Sequence, residues 1–375
     1  MEFNQQHKQL RIIIAGGGTG GHIFPAIAVA QAIQKIQPNA AILFVGATGK
    51  MEMEKVPHAG YEIKGLTIAG LNRTNIFKNI TLPFKLIKSF FQVKKIFAAF
   101  KPNAVFGVGG YSSFPVLKFA QAKSIPTFIH ESNAFAGKSN QWLAQKAIKI
   151  FTGTPGMEQF FPANKILVTG NPIRKNISEA AYSKEAALLQ FGLLPSRKTI
   201  LVIGGSLGAK SINAAIIKGL PTFLENEIQL IWQTGKPGAS DYLKEAIAFP
   251  NVYVSAFIDD MSAAYTAADI VVSRSGAMAV SEICITGKVG VFVPYPFAAE
   301  DHQTFNAMQL VNDGAALMVK DNEVAEKLLP SILKMVQDEQ LILGMQTNIK
   351  KFARLAADHA IAEAIFASLE SNQSN

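Results

Sequence analysis

Ile12-Ile13-Ile14-Ala15-Gly16-Gly17-Gly18-Thr19-Gly20-Gly21-His22 is followed, after Ile23-Phe24, by Pro25-Ala26-Ile27-Ala28-Val29-Ala30. A β-branched run, then glycines, then a helical pattern reads as a strand, a tight turn and a helix N-terminus. Glycines in such a turn let the backbone approach a ligand, and the helix start offers N–H groups to an anion. The pattern returns in the second half as Ile200-Leu201-Val202-Ile203-Gly204-Gly205-Ser206-Leu207-Gly208-Ala209. Two such units predict two similar domains with a polar cleft between them. His22 at the mouth of the first turn puts a titratable group there, and the helix dipole favours its neutral form.

Working outward, apolar runs that read as buried parallel strands recur at 11–15, 41–45, 104–108, 126–130, 148–151 and 166–168. In the second half they fall at 199–203, 229–233, 252–254, 269–272, 290–293 and 316–319. Helical patterns separate them, so the expected fold is α/β: two Rossmann-like, doubly wound parallel-sheet domains facing across a cleft. The expected boundaries are 8–171 and 172–349, the turn-rich Gly170-Asn171-Pro172 marking the junction. A last helix is read over about 343–369, and its end (about 350–372) is expected to pack back on the first domain.

Composition narrows the functional classes. The chain has 375 residues, 49% of them apolar, and one cysteine, Cys284. A disulfide framework is excluded and a reducing compartment fits. No run approaches the ~18 apolar residues of a membrane-spanning helix, and the polar start does not read as a signal peptide. Residues 1–170 carry 19 Lys and Arg against 6 Glu, a net +13, while residues 171–375 carry 17 against 21, a net −4. A basic half beside an acidic half points to a polyanionic surface met by the first domain alone.

The stretch 71–101 concentrates that charge, with Arg73, Lys78, Lys85, Lys88, Lys94, Lys95 and Lys101 and no acid. At helical spacing Leu86, Phe90, Val93, Phe97 and Phe100 form a core stripe. Phe84 and Phe91 fall off it, near Lys85, Lys88 and Lys95, and Ile76, Phe77 and Lys78 precede them. Aromatics among lysines read as an interfacial contact with an anionic membrane; the competing reading is a larger core rimmed by lysines. Nucleic acid is not expected, because nothing offers a base-stacking platform or recognition motif.

The remaining motifs test alternatives. Gly16, Gly18 and Gly21 fit a dinucleotide fingerprint, but the second strand ends Val45-Gly46-Ala47-Thr48 without the acid that holds a ribose, which argues against NAD. Gly49-Lys50 is followed by Met51 where a phosphate-binding loop needs Ser or Thr. Gly109-Gly110-Tyr111-Ser112 and His130-Glu131-Ser132-Asn133 end neighbouring strands and would deliver Tyr111, Glu131 and Asn133 beside His22, although Glu131 or, more readily, Asn133 could instead cap the next helix. Arg174 could clamp a diphosphate, and Glu282, early in a helix, could accept two bonds from a ribose diol. Asp259 is read as the N-cap of a helix over 261–268 and Asp301 as the cap of the helix that follows it. No metal site is evident.

These motifs, with Gly170-Asn171-Pro172-Ile173-Arg174, Phe257-Ile258-Asp259-Asp260-Met261, Arg274-Ser275-Gly276-Ala277, Ser281-Glu282 and Asp301-His302-Gln303-Thr304, occur in an order that resembles the MurG family of bacterial peptidoglycan N-acetylglucosaminyltransferases over nearly the whole chain. The resemblance implies a GT-B glycosyltransferase with no cofactor. It would move GlcNAc from UDP-GlcNAc to the MurNAc C4 hydroxyl of lipid I (undecaprenyl-diphospho-MurNAc-pentapeptide), inverting the anomeric carbon. It implies a peripheral place at the cytoplasmic face of the inner membrane and membership of a cell-wall or division complex. By motif, Ile258 would meet uracil through its backbone and Glu282 the ribose, while Arg174, Ser206, Ala277, Met278 and Ala279 would hold the diphosphate. Gln303 and Asn133 would contact the sugar, Thr19, Gly20 and Gly21 would border it, and Thr19, His22, Tyr111 and Glu131 would line the acceptor side. His22 is the first candidate for general base and Glu131 the second. Leu207 and Ser132 stand where many relatives carry Gln. The rival classes are a nucleotide-sugar epimerase, an NAD-dependent oxidoreductase and a non-catalytic membrane-docked subunit.

Overall fold

The computed structural model describes residues 9–70, 80–173, 177, 182–205 and 207–373. The chain forms two compact units: residues up to Ser132, Ala136–Ile173 and Ala356–Asn375 make one, while Asn133–Phe135 and Arg174–Leu355 make the other. The division falls two residues beyond the 171/172 boundary read from the sequence. Asn133–Phe135 also groups with the second unit, because main-chain and side-chain groups of Asn133 and Ala134 bond to Asn306.

In the first unit β1 (Arg11–Ala15), β2 (Ala41–Ala47), β3 (Glu62–Leu66), β4 (Ala104–Gly107), β5 (Thr127–Glu131), β6 (Lys149–Thr152) and β7 (Ile166–Val168) form one sheet in the order β3-β2-β1-β4-β5-β6-β7. Every pairing is parallel, for example Ile12 beside Ile42 on one side and Ala104 on the other. The central strands β1, β2 and β4 are almost wholly apolar because both faces are covered. α1 (Gly20–Ile36) packs on one face; α3 (Leu82–Phe100), α4 (Ser113–Ala122) and α5 (Lys138–Ala144) pack on the other, and the short α2 (Glu52–His58) joins β2 to β3. β3 was not anticipated. It is an edge strand with Glu62 and Lys64 exposed, so it lacks the continuous apolar run that marks its neighbours.

The second unit holds α6 (Lys184–Gln190), then β8 (Thr199–Ile203), α7 (Lys210–Glu225), β9 (Gln229–Gln233), α8 (Ala239–Ala246), β10 (Val252–Ser255), α9 (Met261–Ala267), β11 (Ile270–Ser273), α10 (Ala277–Ile285), β12 (Val289–Phe292), α11 (His302–Asn312), β13 (Leu317–Met318), α12 (Val324–Gln337) and α13 (Glu339–Ile349). Its sheet runs β10-β9-β8-β11-β12-β13, again parallel. In both sheets the strand order reverses direction beside the first strand, between β1 and β4 and between β8 and β11. Ligands bind at the carboxyl ends of such switch points, and both glycine-rich turns lie there.

Three local readings need correction. The N-cap of α9 is Asp260, whose side chain accepts from the Ala263 N–H, not Asp259. Asp301 does not cap the main chain of α11; its carboxylate takes the Thr304 hydroxyl. The single helix read over 343–369 is two: α13 stops at Ile349, and after the left-handed Ala356 (φ 56°) a new helix, α14 (Ala357–Gln373), begins. Ile361, Ala362 and Ile365 of α14 join Ala26, Val29, Ala30 and Ile33 of α1 in the first unit's core. The apolar spacing runs on through the break, so periodicity alone reads one helix.

Candidate active site

In the first unit the turns after β1 and β4 pack backbone on backbone. Gly16, Gly17 and Gly18 all have positive φ, as do Gly109 and Gly110. A Cβ on Gly110 would sit 2.4 Å from the Gly17 carbonyl oxygen, so no larger residue fits. This close approach brings two of the expected groups together. The Tyr111 ring lies against Gly18, and the His22 ring edge, at Nε2, lies against Gly109. His22 Nδ1 is 3.2 Å from the Gly17 carbonyl oxygen and 3.2 Å from Thr19 Oγ1. A carbonyl only accepts, so the Gly17 contact is a hydrogen bond in the tautomer that carries the proton on Nδ1, and in that tautomer Nε2 is the basic nitrogen. Burial, and then the nearby Glu52 carboxylate, hold the Tyr111 hydroxyl above its usual range, which keeps it a donor.

The first turn is not an open anion cradle. Its Gly18 N–H donates to Glu52 Oε2 at 3.0 Å, and the other carboxylate oxygen takes the Ala47 N–H at 3.0 Å. Glu52 carries no motif signal, since it arrives from a different strand–helix junction, and sequence reasoning passed over it.

The second base candidate has one carboxylate oxygen bonded at a helix start. Glu131 is buried, and its Oε2 accepts from the Gly137 N–H (3.1 Å) and from Asn140 Nδ2 (2.9 Å) at the start of α5. Glu131, not Asn133, therefore meets the next helix. Asn133 instead accepts from Asn306 Nδ2 (3.2 Å), and the Asn306 side chain also bonds to the Ala134 N–H and the Ser275 carbonyl. Asn306 was legible only as a helix residue after Gln303. In the first unit, at the end of β5, His130 is wholly buried with its imidazole pushed down to about 4 by desolvation, opposed by its bond to the Gly170 carbonyl.

The second unit carries a cavity of about 740 Å³ between the turns after β8, β11 and β12. Gly204, Gly205, Gly208, Lys210, Gly276 and Gln303 are among the residues that line it. Ala277, Met278 and Ala279 form the first turn of α10, whose N-cap Gly276 has no side chain to satisfy their N–H groups. Gln303 is oriented by the Tyr295 N–H, which donates to its Oε1 at 2.9 Å. Glu282 is buried one helical turn further on, and its carboxylate takes the Tyr265 hydroxyl at 3.1 Å. The Ile258 N–H is taken by Gln233 Oε1 at 3.0 Å, which fixes that loop. Arg274 lies in the wall but is held by Asp321, Ser211 and the carbonyls of Val293 and Pro294. Lys210 and the Arg274–Asp321 pair were not singled out from sequence. Arg174, Ser206, Ile76, Phe77 and Lys78 lie outside the described residues. Among the described residues no cluster of three or more His, Cys, Asp and Glu is placed to hold a metal ion.

The basic helix α3 buries Val93 and Phe97 while Phe84 (73%) and Phe91 (64%) stay exposed. Ile80 (67%) and Ile87 (57%) are exposed with them. Within α3, Phe84, Ile87, Lys88, Phe91 and Lys95 are spaced so that they fall on one face, and Ile80 precedes the helix. The larger-core alternative is therefore wrong for this stripe. Among the described residues no helix is long and apolar enough to cross a membrane.

Comparison with known proteins bears on both halves. Residues 12–152 match the glycosyltransferase family 28 N-terminal domain, and residues 199–360 match its C-terminal domain. A Phocaeicola vulgatus protein named UDP-N-acetylglucosamine–N-acetylmuramyl-(pentapeptide) pyrophosphoryl-undecaprenol N-acetylglucosamine transferase is 49% identical over 96% of each chain. The crystal structure of Acinetobacter baumannii MurG is similar with a TM-score of 0.77 at 28% identity, covering 96% of this chain and 99% of that one. A UDP-GlcNAc 2-epimerase from Neisseria meningitidis shares the fold at TM-score 0.66 and 15% identity, covering 96% and 100%.

Proposed function

The chain belongs to glycosyltransferase family 28, and from that we propose that it transfers GlcNAc from UDP-GlcNAc to the muramyl C4 hydroxyl of undecaprenyl-diphospho-MurNAc-pentapeptide. The product is the β-1,4-linked disaccharide lipid used for peptidoglycan. The observation that carries this reading is the near-full-length relationship to a transferase of that name. The pinned His22 supports the chemistry. The acceptor oxygen attacks C1 from the face opposite the α-linked UDP. As the new C1–O bond forms, the C1–phosphate oxygen bond breaks and its electron pair leaves on UDP. The hydroxyl proton passes to His22 Nε2, and Tyr111 and Thr19 position the acceptor.

In the second unit, Glu282 takes the ribose, and the Ile258 carbonyl takes uracil because its N–H is already used. The first-turn N–H groups at Ala277, Met278 and Ala279, with Lys210, stabilise the charge that grows on the departing diphosphate. Gln303 and Asn133 orient the sugar, and Arg174 and Ser206 complete the diphosphate contacts. In this reading the first unit docks on anionic lipid through the exposed stripe of α3, and the relationship to the named transferase suggests the cytoplasmic face of the inner membrane as that surface.

Incubation with radiolabelled UDP-GlcNAc and a short-chain lipid I analogue tests the activity. Label is expected in the lipid with release of UDP, and to persist in excess EDTA, because cationic groups and helix N–H groups carry the leaving charge. Conversion to UDP-ManNAc with no lipid product would identify an epimerase, and no turnover with both substrates bound would identify a binding subunit.

A further inference from the structure

Glu52 is the first residue of α2, 1% exposed, and outside every motif that marks the site. The described chain has no cis peptide, so the N–H and C=O of the Gly17–Gly18 peptide point to opposite sides of one plane. Each end is held by a side chain. The N–H donates to Glu52 Oε2 at 3.0 Å, and the C=O lies 3.2 Å from His22 Nδ1, where it accepts when the ring carries its proton on Nδ1. We propose that Glu52 is a positioning residue for His22, acting through this one peptide as a carboxylate–peptide–imidazole relay. The proposal rests on the reading of His22 as the base.

The physical basis is polarisation along a hydrogen-bonded chain. A carboxylate on the N–H draws electron density toward the carbonyl oxygen and strengthens it as an acceptor. That favours the proton on Nδ1 and stabilises the imidazolium that forms when a proton arrives at Nε2. In hydrolytic triads a carboxylate does this by direct contact; here one peptide stands between. The surrounding construction guards that peptide. The second oxygen of Glu52 is anchored on the Ala47 N–H, so the carboxylate cannot turn away. Any Cβ on Gly17 would fall 2.3 Å from Glu52 Oε1, and any Cβ on Gly110 would fall 2.4 Å from the Gly17 oxygen. Three residues thus keep room for a single peptide group. Besides Glu52, the titratable groups that feel this cluster are Tyr111, raised by burial and by Glu52, and His130, lowered by burial and then by His22.

The test is the ¹⁵N spectrum of histidine-labelled protein, with the His22 signals assigned by their loss in His22→Ala. Folded wild type is expected to show the Nδ1–H tautomer. In Glu52→Gln the Nε2–H tautomer should grow, and kcat should fall about 10–100-fold, the range seen when an orienting partner is lost. The KM for UDP-GlcNAc should hold within about twofold, and Glu52→Asp should recover part of the loss. An Nε2–H tautomer in wild type overturns the relay, and this needs no variant that might fail to fold. An unchanged tautomer in folded Glu52→Gln overturns it as well. A tautomer that responds to Glu52→Gln, together with a His22→Ala enzyme that keeps full kcat, supports the relay and removes His22 as the base.

Discussion

The Asn140 side-chain amide donates to Glu131 Oε2 at 2.9 Å, tying the strand-end acid of β5 to the first turn of α5. With the Gly137 N–H on the same oxygen, the carboxylate serves as a helix anchor. Glu131→Gln retains one acceptor oxygen and loses the charge, so it is expected to cost about 1–3 kcal/mol of stability. Denaturant unfolding should show this loss, while kcat per folded molecule stays within about threefold of wild type. A stable variant with collapsed kcat would return Glu131 to the chemistry.

The Tyr265 hydroxyl on Glu282 makes a second pair with consequences. Glu282→Ala should raise the KM for UDP-GlcNAc at least about tenfold, since a charge-assisted bond is worth about 1.5–3 kcal/mol. Tyr265→Phe, which only frees the carboxylate to move, should raise it less. Saturation kinetics on folded variants decide this. An unchanged donor KM in Glu282→Ala would contradict the ribose role.

For the basic helix, reversing Lys85, Lys88 and Lys95 to Glu should abolish pelleting with anionic vesicles, each cation being worth on the order of 1 kcal/mol near such a surface. Turnover of a soluble acceptor should barely change while that of a long-chain acceptor drops. Vesicle binding indifferent both to the substitutions and to salt would rule the docking surface out.

His130 predicts acid sensitivity. Its imidazole sits at about 4 when folded, against 6.5 as the ordinary value. The folded state therefore resists a proton that the unfolded chain accepts. The stabilisation is complete above pH 6.5 and is lost as pH falls toward 4, by about 2 kcal/mol between pH 7.5 and 5.0. Chemical unfolding at the two pH values should show this drop in wild type and a smaller one in His130→Gln. An identical drop in both would assign the acid sensitivity to other groups.

Much of this fold is legible in the sequence because a parallel strand buried on both faces needs an unbroken apolar run. Arg11–Ala15, Ile166–Val168, Thr199–Ile203 and Gln229–Gln233 coincide with the runs read for them. β3 hides because an edge strand alternates charge with small or apolar residues, and α13 and α14 merge because Ala356 breaks the helix without a glycine or proline to announce it. At the site, His22 and Tyr111 are legible because glycine turns force their neighbours to strand ends. Glu52 and Asn306 are not, since each comes from an element that spacing cannot link to the residues it bonds, while Lys210 directly follows the second glycine-rich turn and carries no signal beyond its charge. Glu131 misleads because a strand-end carboxylate reads the same whether it faces substrate or a helix N-terminus.

The most direct test of the account is the pH dependence of kcat for wild type, His22→Ala and Glu131→Gln with saturating UDP-GlcNAc and a soluble lipid I analogue. If His22 Nε2 takes the C4 proton, His22→Ala loses about 10²–10⁴-fold in kcat, keeps its donor affinity, and loses the acid limb of the profile, while Glu131→Gln retains that limb. An acid limb that persists in His22→Ala and vanishes in folded Glu131→Gln would contradict it.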